Sequence, residues 1–307
     1  MNFAAMMLIA LALDLLIGWP NWLYARIGHP VTWLGALISG LEHRWNHGAR
    51  RAKGVLLLLV VTGLATSLGA ALQVVLPDGW AGVVLGGILA WPLVALRAMH
   101  DHVADVARPL AAGDLDAGRR AVAMIVGRDV TQLDEAGVAR AALESLAENT
   151  SDGIVAPIFW GALLGLPGIA AYKAINTLDS MIGHRSERYR DFGWASARVD
   201  DLVNLIPARL TGLIFALVGA RRAAWACMWR DAPQHRSPNA GWPESAMAGA
   251  LDVRLSGPRA YGSGITPEPW VNAAARDPGA ADVQRGLQVY ARAMVLLAMG
   301  IAVALWP

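Results

Sequence analysis

A chain of 307 residues that is 55% apolar, only 16% charged and carries 13 Trp, with a mean hydropathy of +0.40, falls outside the range of an ordinary soluble domain and belongs in or on a membrane. Its net charge of +2 is too small to indicate nucleic-acid binding, while a slight basic excess, pI near 8.9, suits an anionic leaflet. The one cysteine, Cys227, excludes an internal disulfide and any multi-cysteine metal site.

Residues 3–18 open the chain as an apolar run interrupted by Asp14, and no basic residue precedes it, which argues against a cleaved signal peptide. An intramembrane acid is costly unless paired, so Asp14 reads either as functional or as a group snorkelling from a helix end. Residues 31–41 are too short to span and should lie at the interface or dip into it. Residues 55–76 form the clearest span, preceded by Arg50, Arg51 and Lys53 and followed by the turn Pro77-Asp78-Gly79. Residues 80–96 return across the membrane with a kink expected at Pro92. Glycines 63, 69, 82, 86 and 87 in these two segments suit close helix packing. The basic loop 44–53 places that end in the cytoplasm, so residues 97–154 follow on the same side as amphipathic helices separated by Gly113-Asp114 and Gly127-Arg128-Asp129.

Residues 154–178 are apolar but carry Pro157 and Leu166-Pro167-Gly168, with polar clusters at both ends. A straight span would send those clusters to opposite faces of the membrane. A re-entrant hairpin reversing at Pro167-Gly168 keeps them together and is the expected form. Residues 202–220 are long enough to span, but crossing there would place Arg221, Arg222 and the following long loop outside, against the charge rule. Either the helix is buried without crossing or the loop is external, and the sequence leaves both open. Residues 287–306 give a last span. The expected fold is therefore an all-α, polytopic helical membrane protein with a broken or re-entrant segment and amphipathic cytoplasmic helices. It forms a single integral membrane domain over 1–307, with N-terminal spans (1–99), a polar catalytic core (100–230), a Pro/Gly-rich loop (231–286) that is ordered and irregular like a cap, and a C-terminal span (287–307).

Chemistry concentrates in three clusters: Glu144-x-x-x-Glu148-Asn149-x-x-Asp152, Asn176-x-x-Asp179 and Asp200-Asp201-x-x-Asn204. Residues three or four apart share a helix face, so each cluster can aim its oxygens in one direction. Asn and Asp also cap helices, and one cluster alone would say little. Three of them in a stretch that also carries Arg128, Lys173, His184, Arg185, Arg198 and Arg209 point to Mg²⁺ and phosphate chemistry. Arg188 and Arg190 are expected to pair with Glu187 and Asp191 on a solvated surface.

The motifs resemble the adenosylcobinamide-phosphate synthase family of cobalamin biosynthesis, known as CbiB or CobD. The likeness runs through Gly127-Arg128-Asp129, Glu148-Asn149-Thr150-x-Asp152-Gly153, Tyr172-Lys173-Ala174-x-Asn176-Thr177-Leu178-Asp179-Ser180, Arg198-x-Asp200-Asp201-x-x-Asn204 and Pro207-Ala208-Arg209. It extends to Gly28-His29-Pro30 and to His235-x-Ser237-Pro238-Asn239-Ala240-Gly241-Trp242-Pro243, and so spans nearly the whole chain. One departure is Gly18-Trp19-Pro20, where the family more usually has Gly-Asp-Pro; it leaves Asp14 as the nearby carboxylate.

The resemblance implies a multi-pass enzyme of the inner membrane that joins aminopropanol, typically as its O-phosphate, to the propionate carboxylate of adenosylcobyric acid. The lipid bilayer and other late corrin-pathway membrane enzymes would be its partners, and nucleic acid would not. Amide formation from a carboxylate needs activation, for which an ATP-derived acyl phosphate with Mg²⁺ is the usual route. On this reading Glu148, Asn149, Asp152, Asn176, Asp179, Asp201 and Asn204 hold metal and polyphosphate, with Glu144 and Asp200 behind them. Arg128, Lys173, Arg185, Arg198 and Arg209, with Ser237 and Asn239, contact phosphates. His184, His29 and His235 are candidates for the base. Two other classes share some of these features. One is an Asp-rich prenyl or phosphoalcohol transferase; the other is a polar-core transporter, although no two halves of the chain repeat one another.

Overall fold

The computed structural model describes residues 1–261, 264–266 and 268–305. Gly262, Ser263 and Pro267 of the expected loop, and Trp306 and Pro307 at the end of the expected last span, lie outside the described residues. The fold is all-α. In chain order the helices are α1 (Phe3–Ile17), α2 (Asn21–Ile27), α3 (Pro30–Trp45), α4 (Arg50–Val75), α5 (Trp80–Ala90), α6 (Leu96–Ala111), α7 (Leu115–Val122), α8 (Glu135–Thr150), α9 (Ala156–Leu164), α10 (Leu166–Ile182), α11 (Trp194–Val203), α12 (Leu205–Gly219), α13 (Arg222–Asp231), α14 (Gly241–Leu251) and α15 (Ala280–Val303). Strands β1 (Leu255–Ser256) and β4 (Trp270–Val271) pair antiparallel, as do β2 (Arg259–Tyr261) and β3 (Gly264–Thr266). The segment 231–286, expected as a loop, is thus helical at α14 and ribbon-like after it.

Among the described residues, three stretches are by themselves long and apolar enough to cross a membrane: Arg50–Val75, Trp80–Ala111 and Ala280–Val303. The second breaks into a 3₁₀ turn at Trp91–Leu93, where Pro92 cannot continue the helix ladder, as the sequence indicates. α1 reaches spanning length only when joined to Asn21–Trp45 across a bend of 108°. The ten residues of α11 include Arg198, Asp200 and Asp201, so α11 is not read as crossing.

The chain divides into two compact units, each discontinuous in sequence. The first comprises Met1–Ala95, Ala156–Asn204 and the chain from Gly300. Its core is Ile38 of α3, Leu57, Leu58 and Val61 of α4, Ala174, Ile175, Leu178 and Ile182 of α10, and Phe192 and Ala195. α10 runs antiparallel to α4. The Gln73 side-chain oxygen accepts the Leu166 N–H at 2.8 Å at one end, and at the other Gly54 lies so close to the Phe192 carbonyl that a Cβ would collide with it. Gly69 leaves room for the Leu166 carbonyl, and Gly82, Gly86 and Gly87 admit Pro77, Met6 and Ile9. Gly63 faces open space instead, so its expected packing role is not seen.

The hairpin expected within 154–178 is present. α9 packs on α10, and the chain reverses at Gly165, whose φ of +73° favours glycine. Pro167 sits in the first turn of α10, where its missing N–H costs nothing, and Gly168 leaves the space that the Trp160 carbonyl occupies. The reversal therefore falls two residues earlier than Pro167.

The second unit comprises Leu96–Val155 and Leu205–Met299. α12 and α13 pack on α14, and α8 packs on α6 and α14. Two carboxylates, each paired with two arginines, hold the described residues of the 252–285 region. Asp277 takes Arg254 (2.6 Å) and Arg140 (2.5 Å), both guanidinium groups stack on Trp270, and Asp282 takes Arg276 and Arg285. The described residues of this region are thus held in place by ion pairs.

Candidate functional site

In the first unit, α10 carries a polar stripe. At 100° per residue, Lys173, Asn176, Asp179 and Ser180 fall on one face, and Ala174, Ile175, Leu178 and Ile182 turn into the core. The stripe meets Asp200, Asp201 and Asn204 of the α11 segment. Tyr172 Oη donates to Asn204 Oδ1 at 2.9 Å, and Asn204 Nδ2 donates to Asp200 Oδ2 at 3.0 Å. Asn176 also hydrogen-bonds Asp200, and Asp179 stands close enough to repel its charge. Asp200 is only 8% exposed, and its Oδ1 meets no donor in hydrogen-bond range. Burial, and then the Asp179 charge, push its carboxyl up to about 7.

Asp201 is half-buried, and Arg198 Nη1 lies 3.7 Å from its Oδ2. Burial raises its pKa, against the pull of Arg198 and Arg185. The Asp179 carboxylate lies over Gly183, where a Cβ would collide with it. The first unit thus gathers Asn176, Asp179, Asp200, Asp201 and Asn204, with Lys173, Arg185 and Arg198 nearby. Tyr172, which sequence reasoning passed over, fixes the orientation of Asn204; its position one turn before Asn176 was the available signal.

The three histidines differ. His29 Nδ1 accepts the Val31 N–H at 3.1 Å as the cap of α3, and Trp19 lies edge-on to its ring at 4.9 Å. Trp19, the departure from the family pattern, also donates its Nε1–H to the Gly28 carbonyl at 3.1 Å. His235 Nδ1 accepts the Ser237 N–H at 3.1 Å, and its Nε2 faces Glu244 Oε2 at 3.6 Å with both side chains buried. A ring that accepts at Nδ1 carries its proton at Nε2 when neutral, so neither is poised as a base. His184 is exposed and makes no hydrogen bond among the described residues.

In the second unit, Arg128 Nη2 pairs with Glu144 Oε2 at 3.1 Å, at side-chain exposures of 11% and 7%, and Glu144 Oε1 accepts the Ser256 N–H at 2.8 Å. Glu144 therefore anchors α8 to the cap. α8 continues into a π-helical turn, Ser151–Val155, that presents Asp152, while Glu148 and Asn149 are exposed on its last turn. Pro157 explains the turn: it has no N–H for the Gly153 carbonyl, so the ladder slips by one residue. Asn149 donates to the Ser145 carbonyl at 2.9 Å. In α12, which packs on this turn, the Arg209 guanidinium stacks over Trp242 at 4.6 Å. Ser237 Oγ accepts the Asn239 and Ala240 N–H groups, a turn that leads into α14. Asn239 is buried.

Among the described residues no three His, Cys, Asp or Glu side chains converge tightly enough to hold an ion by themselves. Hard oxygen donors in ones and twos remain, with a buried carboxylate oxygen that lacks a donor. That set fits Mg²⁺ carried on a phosphate and does not fit an all-protein cage.

Fold and side chains define a polytopic helical membrane protein whose polar groups collect in carboxylate–amide clusters flanked by arginines. Residues 7–290 match the CobD/Cbib protein family. A Rhodobacter capsulatus protein named cobalamin biosynthesis protein CobD is 66% identical over 100% of this chain and 99% of its own length. Proteins of the same name from Sinorhizobium fredii and Rhizobium meliloti are 46% and 45% identical, each over 98% of this chain and 96% of their own. No solved structure matches the chain. The chain belongs to the CobD/CbiB family of cobalamin biosynthesis. It is an enzyme of the adenosylcobinamide-phosphate synthase type.

Proposed function

We propose that the protein joins aminopropanol O-phosphate to the propionate carboxylate of adenosylcobyric acid in an ATP- and Mg²⁺-dependent amide ligation, at the cytoplasmic face of the inner membrane. The observation that carries this reading is the gathering of Asn176, Asp179, Asp200, Asp201 and Asn204 beside Arg185 and Arg198. The side follows from charge: Arg44, Arg50, Arg51 and Lys53 mark the cytoplasmic end of α4. α10 runs antiparallel to α4 from the Gln73–Leu166 contact, so Asp179 is level with about residue 60 of α4, roughly 10 Å inward of Lys53.

In the first unit Asp179, Asp201 and Asn176 would hold Mg²⁺; the second unit, taken by itself, offers Asn149 and Asp152 as donors of the same kind. When bound, Mg²⁺ and ATP supply charge neutralisation and the activation that a carboxylate needs before an amine can displace oxygen from it. The residues' own work is positional and electrostatic. Lys173, Arg185, Arg198 and Arg209 neutralise phosphate oxygens. Tyr172 and Asn204 hold Asp200 in place through two hydrogen bonds. A carboxyl near neutrality, as at Asp200, can accept a proton from the attacking ammonium without a histidine, and His184 is the exposed alternative.

The test is turnover of purified protein with adenosylcobyric acid, aminopropanol phosphate and ATP, following amide and nucleotide products. ATP-independent amide formation would overturn the ligase mechanism and indicate a donor that arrives already activated.

A further inference from the structure

His29, in the first unit, has no part in the chemistry proposed above, yet it is fixed on several sides. Gly28, at a φ of +71°, turns the chain between α2 and α3. The His29 N–H donates to Thr32 Oγ1 at 3.1 Å, and the ring Nδ1 accepts the Val31 N–H at 3.1 Å, which closes the cap of α3. Trp19 holds the chain from the other side. Its Nε1–H donates to the Gly28 carbonyl, its ring stands edge-on to the imidazole, and Trp91 backs it at 5.6 Å. A cap needs Nδ1 alone. The second ring nitrogen is left over: the ring is half-buried, and Nε2 makes no hydrogen bond among the described residues and is not sealed from solvent.

The cap decides what that nitrogen offers. With Nδ1 accepting, the neutral ring carries its proton on Nε2 and is a donor there. A proton added at Nδ1 would break the cap and set a second positive charge beside Lys173 of α10, whose charge reaches the ring. A neutral N–H and an ammonium, brought together from two elements, suit an anionic oxygen. The rest of the α10 face narrows the choice of anion. Asn176 stands about 4.5 Å beyond Lys173 along the helix axis and Asp179 about 9 Å beyond it. A bare carboxylate bound at Lys173 would face the Asp179 charge with nothing between them. A phosphate that carries Mg²⁺ brings the cation that both sides need, with metal–oxygen bonds of about 2.1 Å reaching towards Asn176 and Asp179.

We propose that His29 binds the substrate side of the site as a neutral donor, its Nε2–H and the Lys173 ammonium holding one oxygen of a Mg²⁺-carrying phosphate. His29 thus joins the groups that touch phosphate, not the bases. That this phosphate takes part in amide ligation rests on the function proposed above; the binding itself does not.

The experiment uses the full chain in detergent with its seven histidines labelled with ¹⁵N, the His29 signals being assigned by their loss in His29→Gln. His29 should show the Nε2–H tautomer. Diphosphate with Mg²⁺ should shift the Nε2 signal in a saturable way and leave Nδ1 in place, and Lys173→Met should weaken that response by about ten-fold or more. The opposite tautomer, or a His29 signal that diphosphate does not move, overturns the proposal, and an equal response to acetate overturns the choice of phosphate. Two substitutions separate donor from cap. Gln sets an amide N–H where Nε2–H stands and gives up the cap; Asn sets an oxygen where Nδ1 stands, caps α3 and gives up the donor. Per folded molecule, His29→Gln should keep turnover within about ten-fold of wild type, and His29→Asn, the more stable of the two in thermal unfolding, should lose about 100-fold. Full turnover in His29→Asn leaves His29 a cap only, and equal loss in both variants returns it to the bases; either result sinks the donor role. A saturable His29 shift in protein that forms no amide would fail the functional reading alone, and ATP-dependent amide formation with a silent His29 would fail this proposal alone.

Discussion

Glu144 sits in a sequence pattern that suggests catalysis, but the structure gives it a different task, and one substitution series separates the two. Its carboxylate neutralises Arg128 at 3.1 Å, with 11% and 7% of the two side chains exposed, and takes the Ser256 N–H at 2.8 Å. Glu144→Ala leaves a buried guanidinium without its counter-charge, a loss of about 3–5 kcal/mol, and orphans a buried N–H for about 1–3 kcal/mol more. The two terms share one site, so a loss of about 4–6 kcal/mol is expected, enough to unfold a marginal protein. Glu144→Gln keeps an acceptor for Ser256 and loses only the charge, about 2–3 kcal/mol. Adding Arg128→Met removes the stranded cation and should return most of that. Thermal unfolding in detergent, followed by tryptophan fluorescence, should rank wild type close to the Gln/Met double variant, then Glu144→Gln, then Glu144→Ala. Turnover per folded molecule should stay close to wild type in all three variants, while total turnover falls with the folded fraction. A Glu144→Gln variant as stable as wild type yet inactive would refute the anchoring argument and return Glu144 to the reacting groups.

Three further outcomes are expected. Asp152→Ala, Asp179→Ala and Asp201→Ala should each abolish amide formation in folded, membrane-inserted protein, EDTA should silence wild type and Mg²⁺ restore it; near-normal turnover in any variant removes that residue from the site. With adenosylcobyric acid, ATP and hydroxylamine in place of the amine, wild type should yield a hydroxamate, and its absence under conditions that support amide formation counts against an acyl-phosphate route. Asp200 has a folded-state carboxyl raised to about 7, so its stabilising effect is complete below the unfolded carboxylate range, about 4, and is lost as pH rises toward 7. Metal-free wild type should therefore lose about 3–4 kcal/mol across that window while Asp200→Asn stays flat, and parallel unfolding curves for the two proteins would refute the burial argument.

The helices, the kink at Pro92 and the reversal inside 154–178 were legible because each rests on local chemistry. Proline lacks an N–H, glycine admits positive φ, and apolar runs have a countable length. The reversal fell at Gly165 rather than at Pro167-Gly168 because both Gly165 and Pro167 interrupt the helix, but only the glycine takes the positive φ, while the proline is well placed to start the next helix. The stripe Lys173-Asn176-Asp179-Ser180 was also legible, since helical spacing alone puts these residues on one face. Long-range pairing was not. Nothing local distinguishes Arg188 beside Glu187 from Arg188 against Glu42, 146 positions away, and the closer sequence neighbour was the wrong choice. The same holds for Glu144, whose partners Arg128 and Ser256 come from separate elements. Ser237 and His235 look like ligand groups in a motif and prove to hold a turn, because short polar side chains serve backbone N–H groups as readily as substrates.

The placement of acids bears on the phosphate chemistry proposed for this mostly apolar chain. Carboxylates that are neutralised within the protein, Glu42 by Arg188 and Glu144 by Arg128, fix elements and are already satisfied. Asp200 differs. Its hydrogen bonds come from neutral amides, its nearest charge is another carboxylate, and one of its oxygens is buried without a donor. A protein gains no stability from such an arrangement by itself, because burial opposes the charged form and Asp179 opposes it further. It becomes favourable when a cation or proton is delivered there, and Tyr172 and Asn204 keep the oxygens positioned until that happens. The contrast between Glu144, paired with Arg128, and Asp200 therefore supports giving the first to the scaffold and the second to the proposed site, although the sequence presents the two as equivalent.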